Sequence, residues 1–151
     1  MKILFAIFVS APLSLFACPD LAGRYLECRP TTGHSTGSRD MIVSQSFEDG
    51  VTTYVASAIN SQSNERETAT YKADGIKTEE VIIDPDNGKR THLSTLISCE
   101  NDKLIIDISF FSDDIKFGFS KVSVYKEGKQ LIIESHSGDE TQEGSDKEIC
   151  E

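Results

Sequence analysis

The chain of 151 residues sets 25 Asp and Glu against 15 Lys and Arg, for a net charge of −10, and carries four cysteines and no tryptophan. That acidity repels phosphate backbones and anionic membrane surfaces, which excludes nucleic acid as a partner class and makes a basic protein the natural macromolecular partner. The length fits one domain, and no apolar run beyond the first 17 residues approaches the ~20 residues of a membrane-spanning helix.

In chain order, Met1 and Lys2 form a short positive start, Ile3 to Val9 an apolar run, and Ser10 to Ala17 a small-residue stretch interrupted by Pro12. This is the pattern of a signal peptide cleaved after Ala17, leaving residues 18–151 as a single exported domain, periplasmic or extracellular. Cys18 then heads the mature chain. Leu15-Phe16-Ala17-Cys18 partly fits a bacterial lipidation box, so an outer-envelope lipoprotein anchored through Cys18 is the alternative. Phe16 is bulky where that box wants a small residue, and acylating Cys18 would strand one of four cysteines in an oxidising compartment, so a disulfide is the expected fate.

The rest of the chain is punctuated by "FEDGV", "YKADGI", "DPDNGK", "CENDK" and "YKEGKQ", each setting Asp, Asn or Gly between stretches rich in Val, Ile, Thr, Tyr and Phe. Those stretches alternate. In "LIIDISF", Leu104, Ile106, Ile108 and Phe110 share one face while Asp107 and Ser109 take the other. The pattern predicts strands near 23–29, 39–47, 51–59, 66–72, 76–83, 89–99, 103–111, 117–125, 129–136 and 146–150, and no window carries a helical stripe. Joined in order they form a meander, whose successive connections fall at opposite ends. The even connections, near 48–50, 73–75, 100–102 and 126–128, are tight. The odd ones, near 30–38, 60–65, 84–88, 112–116 and 137–145, are longer and polar. A flat sheet of this size exposes two edges, so the expectation is an all-β, up-and-down antiparallel meander closed into a barrel of about 8–10 strands. With both Cys99 and Cys150 at the tight end, the sorting pairs them with each other, and Cys18 with Cys28 by elimination.

Gly23-Arg24-Tyr25, followed by the long first loop "RPTTGHSTGSR" and the alternation of tight and long connections, resembles the lipocalin and calycin family of small barrels. The family opens its first strand with Gly-x-Trp. The resemblance implies a rigid barrel with variable loops at an open mouth; Tyr25 standing for Trp and the missing C-terminal helix leave the family's ligand and binding residues unassigned.

The candidate rim of that mouth consists of His34, His92, Asp113, Asp114 and His136, read as ligand-binding positions without metal, since no His-x-x-x-His spacing occurs. "SHSGD" at 135–139 collects Ser, His and Asp, but neighbours on a strand point to opposite faces and do not converge as a triad. "DPDNG" lacks the sixth-position Gly and twelfth-position Glu of a calcium loop. Gln45, Thr53, Ser57 and Ser135, mixed with apolar residues on the faces expected inward, suit a cavity that orients its occupant. The expectation is a non-catalytic binding protein needing no cofactor and holding a small apolar molecule at the long-loop end. The alternative is an acidic interaction protein, such as an inhibitor of a basic secreted enzyme, using "FSDDIKF" and "SGDETQEG".

Overall fold

The computed structural model describes residues 18–31, 39–60, 64–83, 88, 90–112 and 114–151. The signal-like segment 1–17 lies outside the described residues, as do His34 and Asp113. Ten strands follow one another: β1 (Gly23–Pro30), β2 (Arg39–Glu48), β3 (Val51–Asn60), β4 (Arg66–Ala73), β5 (Lys77–Ile83), β6 (Arg90–Glu100), β7 (Lys103–Ser112), β8 (Ile115–Glu127), β9 (Gln130–Asp139) and β10 (Glu143–Cys150).

They form one antiparallel sheet in the order β4-β3-β2-β1-β10-β9-β8-β7-β6-β5. Every neighbour is a sequence neighbour except β1 and β10, where first meets last. The sheet is a curled half-barrel split between β4 and β5, and the expected full closure is not reached. At the tight end the split is pinned, because the Gly75 N–H of the β4–β5 turn donates to the Ile97 carbonyl of β6 at 3.0 Å. Beyond that point β5 pairs with β6 alone and is exposed along its whole length.

The tight connections are as short as expected. Asp49-Gly50 and Asn101-Asp102 turn with both residues at positive φ, the geometry that matches hairpin twist. Two of the odd connections are shorter than expected: residues 113–114 join β7 to β8, and 140–142 join β9 to β10. In the second, one oxygen of Asp139 accepts from the Thr141 N–H (2.7 Å), the Thr141 hydroxyl (2.6 Å) and the Gln142 N–H (3.0 Å). Those three bonds hold the carboxyl of the exposed Asp139 below its usual range, and they let both strands run up to the turn.

Alternation puts Met41, Val43, Tyr54, Leu104, Ile106 and Leu131 on the concave face, where they form the buried core with Leu21, Tyr25, Cys28 and Cys150. The convex face carries a smaller cluster. Ile105 and Ile132 are buried there beside Tyr125, whose hydroxyl donates to Glu134 at 2.9 Å, while Lys147 and Lys103 flank the same carboxylate. The bond from Tyr125 and the two ammonium groups hold the Glu134 carboxyl below its usual range.

The disulfides correct the expected pairing: Cys18 joins Cys99, and Cys28 joins Cys150. Two features redirect them. A bulge at Leu26-Glu27, with Glu27 at φ 50, interrupts the β1–β2 register between Tyr25 and Cys28. The extra residue reverses the alternation, so Cys28 faces inward on the same side as Tyr25 instead of opposite it. It also hands β1 from one partner to the other, since Leu26 exchanges both backbone bonds with Glu151, at 2.6 and 3.0 Å, and Arg29 then pairs with Ile149. Cys28 is thereby set beside Cys150. Cys18 meanwhile lies beyond β1, in a segment that crosses the tight end as a floor. There Leu21 N–H donates to Gln45 (3.0 Å), Tyr54 donates to the Pro19 carbonyl (2.7 Å), Tyr25 donates to the Leu21 carbonyl (2.8 Å), and Lys126 donates to the Ala22 carbonyl (3.0 Å). That crossing carries Cys18 to Cys99. The bridges span 81 and 122 residues and are each worth about 2–4 kcal/mol.

Candidate functional site

The concave face is not filled. Alanines recur on it at Ala56 and Ala58 of β3 and Ala69 of β4, in register with Val43, Met41 and each other, where larger side chains would close the interior. The opposite wall is made of Leu104 and Ile106 of β7, Val122 and Val124 of β8, and Leu131 and Ile133 of β9. Leu21, Tyr54 and Tyr71 stand at the tight end, and the space enclosed is a cavity of about 390 Å³. That volume lies in the range of small-molecule sites. The floor is buried: Tyr54 is 1% exposed, and burial, with the nearby Asp20 carboxylate adding, pushes its pKa up to about 12.

Two charged side chains reach the cavity, both from the loop end. Arg39, the first residue of β2, forms a forked pair with Glu148 of β10, Nε to Oε1 at 2.9 Å and Nη2 to Oε2 at 2.6 Å, spanning β1 between them. Glu67 of β4 has no hydrogen-bond or ion-pair partner among the described residues. The cavity thus runs from an apolar floor to a mouth where one charge pair is neutralised and one carboxylate has no partner among the described residues.

None of the described rim positions, His92, Asp114 and His136, lines this cavity. His92 sits in β6 opposite Val81 and Phe111, on the face away from Leu93 and the interior. Asp114 lies in the β7–β8 turn at φ 65. His136 is on the convex face, with Nδ1 2.9 Å from the Ser145 hydroxyl and Nε2 3.4 Å from Glu143. It borders a shallow outer groove together with Thr31, Lys121, Ser123 and Lys147. Within "SHSGD", Ser135 and Ser137 alternate away from His136, and Asp139 is spent on its turn. Of the polar residues expected inside, Gln45 is inward and holds the floor segment, and Ser135 shares its register with Val122. Thr53 and Ser57 fall on the other face of β3 from Tyr54 and Ala56. Among the described residues, one group of side chains has metal-ligand proximity, Cys28, Glu148 and Cys150, and its two sulfurs are joined in a disulfide.

Arg39 and Glu67 belong to no motif in the sequence that would mark them as site residues. The alternating alanines of "YVASA" and "TATY" were the available signal, since small residues on the inward positions of adjacent strands leave room. No helix among the described residues is long and apolar enough to cross a membrane.

Comparison with known proteins finds no matching family model, no matching curated protein and no matching solved structure.

Proposed function

We propose that this is an exported binding protein that takes a small apolar molecule into the hollow of its half-barrel. The observation that carries the reading is the 390 Å³ space bounded by Met41, Val43, Leu104, Ile106, Val122 and Ile133 in a chain held by two disulfides. A cavity of this size exposes apolar surface that a ligand would cover with a gain of about 25 cal/mol per Å². The disulfides suit an oxidising compartment, in keeping with the signal-like start of the chain. The lipocalin and calycin resemblance gains a local reason as well. A Cβ at Gly23 would meet the Tyr25 ring at 3.1 Å, so the glycine is what lets that ring fold back over the strand to bond the floor segment.

Nile red, a neutral dye whose emission rises in apolar surroundings, tests the reading in a chain that lacks tryptophan. The oxidised protein is expected to bind it with one site. Ala56→Leu, which places three more carbons in the hollow, is expected to weaken binding at least about tenfold while leaving the thermal midpoint unchanged or raised. Equal binding by the variant would reject the interior as the site.

A second reading, attachment to a basic protein, has one specific support. Ile115 (65% exposed) and Phe117 (40% exposed) stand out at the start of β8, next to Asp114, an apolar tip in an acidic molecule.

A further inference from the structure

We propose that the occupant of the cavity is an amphiphile with a cationic head, an amine on an apolar chain or ring, seated with its charge at Glu67. The inference rests on the cavity reading and narrows it. Of the two charged side chains on the lining, Arg39 already has both Glu148 oxygens on its fork, so an anionic head arriving there would have to compete with a carboxylate held at 2.6 and 2.9 Å. Glu67 offers the opposite case. It lines the same cavity with no partner among the described residues, two strands from Met41 in the same cross-strand row as Ala58. Its strand position is exposed, so an ammonium group placed beside it gains a modest attraction that salt screens. The net charge of −10 acts in the same sense on approach, drawing cations in and turning carboxylates away. Apolar floor, neutralised arginine and lone carboxylate together select a molecule that is greasy at one end and positively charged at the other.

Three probes that share one chain and differ in the head decide the matter: decylamine, decanol and decanoate, each below its micelle concentration, competing with Nile red for the oxidised protein at neutral pH. The expected order of affinity is amine, alcohol, carboxylate, with at least about fivefold between the extremes at low salt and less at high salt. Glu67→Gln, on an exposed strand position, is expected to lower the amine's affinity about two- to fivefold while leaving decanol's unchanged. A carboxylate that binds as well as the amine, or an amine preference untouched by Glu67→Gln, would overturn the proposal. Equal binding by all three heads overturns it too but leaves the cavity reading standing, whereas binding by none of them removes both.

Discussion

Tyr54 has its ring in the core and its hydroxyl on the Pro19 carbonyl, which makes it one of the residues that fasten the floor to the wall. Its pKa of about 12 sets a pH dependence whose sign is fixed. In the unfolded chain a tyrosine loses its proton near pH 10, so the folded form holds the proton longer, and the stability gained below pH ~10 is lost as the pH climbs toward ~12. Tyr54→Phe removes that share of the alkaline loss and also the hydrogen bond, at a cost of about 1 kcal/mol at neutral pH. Urea unfolding at neutral and alkaline pH checks both effects. A variant with the wild-type alkaline slope would mean that Tyr54 is not the titrating anchor. At this scale the sequence was partly legible. Gly23-Arg24-Tyr25 marked the opening of the first strand, while the packing of the Tyr25 ring over Gly23 left no sequence signal. The histidines could not be placed from chemistry alone, because alternation along β6 and β9 turns His92 and His136 to the convex side and the sequence does not state which face is concave.

Among the elements β1 is decisive, since it pairs with β2 before its bulge and with β10 after it. Period-two patterning located nearly every strand within a few residues, and β7, read as 103–111, runs Lys103–Ser112. The pattern failed where apolar alternation is absent. Glu143 to Lys147 is all polar or glycine, so the first half of β10 is set by the Asp139 turn and by pairing with β9, neither of which leaves a hydrophobic signature. It failed again at the bulge, because one extra residue reverses the face of everything after it and Cys28 then meets Cys150. Peptide mapping of the unreduced protein is expected to recover Cys18 linked to Cys99 and Cys28 linked to Cys150; a Cys99–Cys150 peptide would contradict the seam described above. Glu148→Gln, which breaks the fork to Arg39 across β1, is expected to cost about 1–3 kcal/mol in urea unfolding. A loss within error would show that the fork does not secure the seam.

The whole molecule is a meander wrapped until its ends meet at β1 and β10, yet left open between β4 and β5, with a floor of residues 18–22 laid across its tight end. Hollowness comes from where the small residues fall relative to the large ones, so it depends on register between strands, and register is what single-strand patterning cannot supply. The same architecture leaves Val81, Ile82 and Ile83 exposed on the free strand β5, a competing apolar surface outside the hollow. Location therefore separates a binding protein from a sticky one. Methyl-region NMR during titration with decanol tests this most directly. Saturable shifts are expected at Met41, Val43, Ile106, Val122 and Ile133, with Val81, Ile82, Ile83 and Ile115 unmoved; shifts confined to the exposed methyls, with the interior silent, would contradict binding in the hollow.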